Sequence, residues 1–348
     1  MGVTVKALMK IKKGYSGVAL EEMQEPEIEF EDQVKIKVHA AGICGTDMHI
    51  IHDEYPSSMP VIMGHEFSGT IVEAGANVED FKIGDRVVSL TAAVTCGKCI
   101  YCKKGTLMLC NSRKSIGSGV NGAFAEYITV PSKGVYKILE NISLEEAALS
   151  EPLACVARCL IERGNITPDD HVLISGVGTI GMLALQISIA KEAKVIVVGT
   201  SRDQERFKIA KEFGAYETLN IEEPDAFEKL QNLSTPYGFD VAIECAGHES
   251  SLGNCLKLLK KQGELIQVGL FGKPIQFDSD LFLMKEIKYV NGFASNPTSW
   301  DIALSLMKEN KVDLKSLISY KYKLEDWEEA INSVKDGKGF KTLLMPKH

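Results

Sequence analysis

The stretch "HVLISGVGTIGMLALQIS", residues 171–188, constrains the fold of this chain more than any other part of it. Three glycines, Gly176, Gly178 and Gly181, follow an apolar strand-like run in a G-x-G-x-x-G pattern and open a helix-like run. Such glycines allow a tight turn, a close approach of a pyrophosphate and the packing of helix on strand. The new helix, beginning with Thr179 and Ile180, offers unpaired N–H groups to phosphates. The motif predicts a dinucleotide-binding site, and a plain tight turn is the alternative.

The chain changes character near residue 151. Before it, short strand-like runs such as "VKIKVHAAGIC" and "FAEYITV" are separated by Gly and Asp turns. After it, the apolar runs "HVLISG", "KVIVVG", "FDVAIECAG" and "GELIQVGL" alternate with helix-like stretches such as "RFKIAKEFGA". Buried strands that alternate with helices predict a parallel sheet covered on both faces. We therefore predict an α/β chain, and 348 residues are enough for two domains.

Four of the nine cysteines lie in the short segment "TCGKCIYCKKGTLMLC", with the spacing C-x2-C-x2-C-x7-C: Cys96, Cys99, Cys102 and Cys110. Nine cysteines leave one unpaired in any all-disulfide scheme, and a reducing compartment disfavours disulfides. Four thiolates form the closed tetrahedral shell that structural zinc prefers. An iron–sulfur cluster is an alternative, but the sequence lacks the proline that follows the fourth cysteine in bacterial ferredoxins. Unliganded thiols are a further alternative. The spacing predicts a structural zinc lobe over residues 95–111, away from the chemistry.

The charge balance argues against two classes of partner. Lys and Arg total 39 against 47 Asp and Glu, so the net charge is −8, which opposes binding to nucleic acid or anionic membranes. The uncharged run Val172–Ala190 is long enough to cross a bilayer, but the three glycines interrupt it. The first residues lack a signal-peptide pattern. We expect a cytoplasmic protein with a small-molecule substrate, and neither nucleic acid nor membrane as a partner.

A second set of metal-ligand side chains is scattered through the β-rich part. Cys44 lies in "AGICGTDMHI", His65 and Glu66 in "MGHEFSG", and Glu151 in "SEPLACV". A single cysteine is more often a core residue, and a single histidine is usually only hydrogen-bonded. Together these four have the mixed S, N and O donors of a catalytic zinc with one open position. The spacing alone leaves both interpretations open.

The motifs occur in a recognisable order: "GICGTDMHI", "GHEFSG", the "GDRV" turn, the four-cysteine lobe and "GVGTIG". In this order the whole chain resembles the zinc-dependent medium-chain alcohol dehydrogenase family. "SEPLACV" and "GHE" are similar to its polyol (sorbitol-type) and threonine dehydrogenase branches, whereas "KQGELIQVGLF" and "NPTSWDIALSL" are most similar to arabitol-phosphate-type enzymes. The resemblance implies a GroES-like catalytic domain from residues 1–150 and 291–348, and a Rossmann dinucleotide-binding domain from residues 151–290.

The resemblance also implies a catalytic zinc held by Cys44, His65 and Glu66, with water or a substrate oxygen as the next ligand. It implies that Glu151 either approaches the metal or holds the zinc-bound water. Whether Glu66 or Glu151 is the third ligand stays open. The expected content is one catalytic and one structural zinc per chain.

Further site residues are expected beside these ligands. Thr46 and His49 match the proton-relay positions of the threonine dehydrogenase branch, whereas Asp47 is interpreted as a turn-capping residue. Val268 and Gly269, at the end of "GELIQVGL", are candidates for cofactor binding.

The expected activity is hydride transfer between a nicotinamide cofactor and a secondary alcohol of a polyol, sugar alcohol or polyol phosphate. L-Threonine 3-dehydrogenase is the alternative enzyme. A nucleic-acid-binding zinc ribbon and a zinc-free quinone-reductase-like enzyme are less consistent with the charge and with Cys44 and His65. The family resemblance suggests a homotetramer, with a dimer as the second choice.

The cofactor preference depends on the segment "KVIVVGTSRDQER". NAD-dependent Rossmann enzymes usually end the second strand in an acid that binds the ribose 2′-OH, and this strand has none. Ser201 with Gln204 is interpreted as a capping box, which places Asp203 in the first turn of the next helix. Ser201, Arg202 and Arg206 then lie near the ribose, where a guanidinium can bind a 2′-phosphate. We predict a preference for NADP(H), or dual use of both cofactors.

Overall fold

The computed structural model describes residues 3–346 and divides the chain into two compact units. Of the described residues, the first unit comprises 3–152, Ser295–Asp301 and 314–346, and the second comprises Leu153–Ala294 and Ile302–Asp313. The tail after residue 290 is therefore shared between the units. Residues 1, 2, 347 and 348, which the predicted catalytic domain includes, lie outside the described residues. The assignment of a function to each segment stays a prediction.

Strands and short helices make up the N-terminal part of the first unit, and the last of them, α4, continues into the second unit. They are β1 (Thr4–Lys10), β2 (Val18–Gln24), β3 (Gln33–Gly42), α1 (Gly45–Ile51), β4 (Val61–Ile62), β5 (Glu66–Ala74), β6 (Arg86–Ser89), β7 (Ala92–Val94), α2 (Ile100–Lys103), β8 (Lys114–Ser115), β9 (Tyr127–Pro131), β10 (Val135–Lys137), α3 (Leu144–Ala147) and α4 (Ser150–Ala157). Val34, Ile36 and Val38 alternate along β3 and are fully buried, as the period-two pattern predicts.

The second unit consists of parallel strands and helices, together with part of α10, a helix that begins in the first unit. They are β11 (His171–Ser175), α5 (Thr179–Ala190), β12 (Lys194–Gly199), α6 (Gln204–Glu212), β13 (Glu217–Asn220), α7 (Ala226–Leu233), β14 (Phe239–Glu244), α8 (Glu249–Leu258), β15 (Leu259–Gln267), α9 (Asp280–Lys285), β16 (Lys288–Asn291) and α10 (Pro297–Lys308). The strand order is β13-β12-β11-β14-β15-β16, with every pairing parallel. This is the Rossmann order, so the predicted Rossmann fold is confirmed.

The C-terminal residues return to the first unit as β17 (Ile318–Lys323), α11 (Trp327–Lys335) and β18 (Lys341–Met345). β18 pairs antiparallel with β3, and Leu343 lies opposite Gly42. The sheet order there is β10-β6-β5-β3-β18-β17, with β9 also pairing with β3. Trp327 and Ile331 of α11 join the same apolar cluster as Ile36 and Phe67. Both ends of the chain therefore build one core, and the second unit has its own around Leu173 and Ile196.

Within residues 3–346, no helix combines the length and the apolar character needed to cross a membrane. The uncharged run that begins at Val172 is divided between β11, a glycine turn and α5.

Candidate active site

The four cysteines of the lobe converge. Their sulfur atoms all lie within 4.8 Å of one another: Cys96, Cys99, Cys102 and Cys110. The shortest separation that the structure records, Cys99 Sγ to Cys102 Sγ, is 3.5 Å, so these thiols form no disulfide. Backbone N–H groups of Cys96, Cys99 and Cys102 donate to sulfur atoms of the same group at 3.4–3.5 Å. The lobe thus presents four thiols in one cluster, supported by its own backbone.

The thiols of the lobe differ in how easily they ionise. Hydrogen bonds from the backbone N–H groups of Lys98 and Cys99 lower the pKa of Cys96 to about 6. Desolvation and neighbouring thiols raise the pKa of Cys102 to about 11. The thiol of Cys96 therefore ionises readily, whereas that of Cys102 needs a nearby cation to ionise near neutral pH. A four-thiolate metal ion fits this donor set.

A second group joins Cys44, His65 and Glu66, whose candidate ligand atoms also lie within 4.8 Å of one another. Cys44 is the N-cap of α1, and Glu66 is the first residue of β5. The pairing of β3 with β5 sets Glu66 opposite Gly42. A Cβ on Gly42 would lie 2.4 Å from Glu66 Oε2, so only glycine leaves room for that carboxylate.

The carboxylate of Asp47 lies beside this group and is fully buried. Its Oδ2 accepts the N–H of Cys44 at 2.9 Å, which confirms the expected capping role. Its Oδ1 has no hydrogen-bond partner among the described residues and lies 3.5 Å from His65 Nδ1. Histidine ligands typically direct one ring N–H at such a carboxylate and bind metal through the other nitrogen. Asp47 thus caps α1 and also lies against His65, a contact that the sequence analysis missed.

The buried charges explain why a divalent ion fits this group. Lys341 Nζ lies 2.6 Å from Glu66 Oε2 and donates to the carbonyl of Ile43 at 3.1 Å. In the metal-ligating state Cys44 is a thiolate and His65 is neutral. With Asp47 and Glu66 ionised, three anions then face the one cation of Lys341, which leaves two negative charges for a metal ion to compensate. Buried charge without a partner is costly, and a doubly charged metal ion neutralises it.

The pKa of His65 reflects the same surroundings. Burial has the largest single effect and lowers it, but the Asp47 carboxylate and Cys44 together outweigh burial and raise the pKa well above its ordinary value. The pKa of Lys341 behaves in the same way. Burial lowers it, but the negative charges of Glu66 and Cys44 outweigh burial and raise it above its ordinary value. Without a metal ion, His65 and Lys341 therefore hold their protons more tightly than usual, as expected at a site that favours positive charge.

The remaining predicted catalytic residues lie on α1 and α4. Thr46 and His49 are both partly buried and stand three residues apart on α1, which places them on one helix face. His49 Nδ1 lies 2.6 Å from Glu54 Oε2. Glu151 is buried in the first turn of α4, and it does not belong to the group of Cys44, His65 and Glu66. The roles of Thr46, His49 and Glu151 stay predictions.

The glycine motif occupies the junction that the sequence predicts. Gly176 adopts φ +112° directly after β11, and a Cβ there would lie 2.8 Å from the nitrogen of Ala246. Gly178 caps α5, which begins at Thr179 and Ile180 and buries Gly181 in its first turn. A Cβ on Gly178 would meet no atom within 4 Å, so the backbone is open there. The N–H groups of Val268 and Gly269 both donate to the carbonyl of Glu244 at 2.9 Å, at the end of the neighbouring strand.

The segment after β12 differs from the prediction in two respects. The capping box joins Thr200 to Asp203, not Ser201 to Gln204, because Thr200 N and Oγ1 donate to Asp203 Oδ2 at 2.9 and 3.0 Å. Asp203 Oδ1 also binds Arg206 at 3.0 Å, so this guanidinium already has an acidic partner.

The second difference is an acid that the sequence analysis did not consider. Glu222 Oε2 accepts the N–H of Ser201 at 2.9 Å. The available signal was its place just after β13, since the carboxyl ends of neighbouring parallel strands lie together.

Two family models match the chain. Residues 31–140 match the alcohol dehydrogenase GroES-like domain, and residues 179–309 match the zinc-binding dehydrogenase model. A sorbitol dehydrogenase from Halalkalibacterium halodurans is 40% identical over 98% of this chain and 99% of its own. A D-arabitol-phosphate dehydrogenase from Enterococcus avium is 36% identical over 99% and 98%.

A solved structure shares the same architecture. A zinc-binding dehydrogenase from Sinorhizobium meliloti, crystallised with NADP, superposes with a TM-score of 0.88 at 30% identity, over 99% of this chain and 100% of that one. Its fold, the two family models and the full-length relatives all point to one family. The chain therefore belongs to the zinc-dependent medium-chain alcohol dehydrogenase family.

Proposed function

We propose that this enzyme oxidises a secondary alcohol of a polyol, sugar alcohol or polyol phosphate and reduces a nicotinamide dinucleotide. One observation carries the proposal: Cys44, His65 and Glu66 place three metal-ligand atoms within 4.8 Å of one another, in a chain whose other unit has the dinucleotide-binding strand order. The substrate class follows the relatives named sorbitol and D-arabitol-phosphate dehydrogenase.

Each residue of the group has a distinct task. Cys44, His65 and Glu66 hold the metal, Asp47 keeps His65 in the ligating tautomer, and Lys341 limits the negative charge on Glu66. When bound, zinc supplies Lewis-acid polarisation of the alcohol, and the nicotinamide supplies the hydride acceptor. Glu151, the other candidate for the third ligand, either approaches the metal or holds a water beside it.

Proton removal is assigned to Thr46 and His49. Glu54 is an acceptor only, so His49 Nδ1 carries the proton in their 2.6 Å contact. The other ring nitrogen, Nε2, is then free to receive a proton through the Thr46 hydroxyl. His49 is partly exposed and passes that proton to solvent.

A second zinc is proposed for the four-cysteine lobe. Its four sulfur ligands leave no position for a substrate, so this ion stabilises the loop rather than taking part in turnover. The enzyme would then hold two zinc ions of different function.

For the cofactor, we propose that both NAD(H) and NADP(H) are used. Arg202 supports binding of a 2′-phosphate, as predicted from the sequence. Arg206 is already paired with Asp203, and Glu222 adds a negative charge beside Ser201. These two contacts weaken the argument for a strong NADP(H) preference and support dual use.

A homotetramer in the cytoplasm is proposed, with a dimer as the second choice. β16 lies at the edge of the parallel sheet, and apolar side chains near it are exposed, including Leu283 at 79% and Met284 at 63%. Edge strands with exposed apolar neighbours favour association. Equilibrium sedimentation tests the assembly, and a single monomeric species would contradict it.

The CGTDMH segment, residues 44–49, favours one alternative, L-threonine 3-dehydrogenase. The two activities are separated by assaying sorbitol, arabitol, their phosphates and L-threonine with each dinucleotide. Each assay is run before and after removal of zinc with a chelator, and again after zinc is restored. We expect zinc-dependent turnover of a polyol or polyol phosphate. Turnover of L-threonine alone would favour the alternative, and full activity without metal would contradict both.

A further inference from the structure

A carboxylate lies beside the end of β12, where the strand itself supplies none. Glu222 Oε2 accepts the N–H of Ser201 at 2.9 Å. The sheet fixes this arrangement, because β13 pairs in parallel with β12 and sets Asn220 opposite Gly199. The N–H of Glu222 also donates to Asn220 Oδ1 at 3.0 Å, so the turn that carries the carboxylate is anchored to the strand.

The surroundings of Glu222 keep it ionised. The N–H of Ser201 has the largest effect on its pKa, followed by the Ser201 hydroxyl, and with a smaller contribution from Arg202 these groups hold the pKa below its ordinary value. Burial and Asp203 oppose the shift without reversing it. Ser201, Arg202 and Glu222 are all exposed, so a dinucleotide can reach them.

The other acid of the segment is already engaged. Asp203 uses Oδ2 for the N–H and hydroxyl of Thr200, and Oδ1 for Arg206. To bind a ribose it would have to give up its capping contacts. Glu222, which is exposed and contacts Ser201 directly, is therefore the carboxylate better placed to meet a ligand on the Ser201 side.

We propose that Glu222 is a specificity-determining residue that accepts the ribose 2′-OH of NAD(H) and opposes the 2′-phosphate of NADP(H). This rests on the dinucleotide binding of the proposed function. A 2′-OH is a donor and suits a carboxylate, the pairing that Rossmann enzymes usually make with an acid at the end of the second strand. A 2′-phosphate is an acceptor that competes with Glu222 for the N–H of Ser201 and for Arg202, and the like charges repel.

The test compares Glu222→Gln with the wild type in direct binding titrations of NADPH and NADH. Glutamine keeps the shape and can still accept the N–H of Ser201 through its carbonyl, but it carries no charge. We expect the Kd of NADPH to fall about tenfold, the size expected for removing one like charge at close range, while the Kd of NADH rises slightly. The gain for NADPH should shrink at high salt, because screening weakens exposed charges.

Two further variants make the result specific. Glu223→Gln is the matched control, since Glu223 is the exposed neighbour that pairs with Lys229 at 2.9 Å, and we expect both dissociation constants to stay unchanged. Arg202→Ala removes the opposite charge and should weaken NADPH about tenfold without weakening NADH. Glu222→Ala should bind NADPH more tightly than the wild type, as Glu222→Gln does, and it should bind NADH more weakly than Glu222→Gln.

An unchanged NADPH-to-NADH affinity ratio in a folded Glu222→Gln protein would overturn the inference and leave the proposed function standing. An equal shift in Glu223→Gln would overturn it as well. A wild type that binds neither dinucleotide would overturn the proposed function together with the inference, so the two failures are distinguishable.

Discussion

The two metal-ligand groups of the first unit are built in opposite ways. The lobe draws four identical ligands from residues 96–110, and the N–H groups of the same loop support their sulfur atoms. The group of Cys44, His65 and Glu66 draws three different donors from the start of α1 and the start of β5. It also depends on Lys341, which lies 275 residues from Glu66.

This difference separates a site that a loop can build alone from a site that needs the whole fold. The lobe has no buried ion pair and one kind of ligand, which suits a closed structural shell. The other group places buried charges of both signs around its ligands, which tunes a metal for chemistry. The following changes test this contrast.

Replacing Cys44 by Ser should have the largest effect, because it removes one of the three proposed protein ligands of the catalytic zinc. We expect turnover to fall to background while the Kd for dinucleotide stays near the wild-type value. Steady-state kinetics and binding titration measure the two quantities. Substantial turnover in this variant would contradict the assigned role.

Replacing Cys99 by Ser should instead act on stability. Binding of a structural zinc supplies on the order of 10 kcal/mol to the folding of its loop. We expect a lower Tm and rapid proteolysis within residues 95–111, with residual turnover in the protein that remains folded. A variant with wild-type Tm and protease resistance would show that the lobe needs no metal.

Replacing Lys341 by Gln should destabilise the metal-free protein by about 3–5 kcal/mol, the usual cost of removing one partner of a buried ion pair. The loss should be smaller with zinc bound, because the metal then neutralises Glu66. Denaturant unfolding with and without zinc measures both values. Equal losses in the two states would show that Lys341 does not balance the charge of this group.

Replacing Asp47 by Asn should have the smallest of these effects. Loss of a carboxylate that orients a metal-ligating histidine typically lowers metal affinity about 10- to 100-fold. Competition with a chromophoric chelator measures the affinity. The same substitution should leave the affinity of the lobe unchanged, and an effect on both sites would indicate a general loss of structure.

Local patterns predicted the parts of this molecule that are built locally. The glycine motif lies at a strand–helix junction, and the four cysteines converge because their spacing leaves them on one short loop. No local pattern predicts the contact of Lys341 with Glu66, because only the pairing of β18 with β3 brings the two residues together.

The register of the capping box was not predictable either. Thr200 and Ser201 both have a polar residue three positions later, and the sequence does not choose between them. The structure selects Thr200 with Asp203, because a carboxylate is a stronger acceptor than an amide and β12 ends at Gly199. Glu222 was missed for the same reason as Lys341, since the neighbouring strand supplies it.

The zinc content per chain of the wild type, Cys44→Ser and Cys99→Ser tests the central claim most directly. We predict two zinc ions in the wild type and one in each variant, with turnover lost only where the missing ion belongs to Cys44. A wild type with fewer than two ions, or a Cys44 variant that keeps both, would contradict the account of two sites with separate roles.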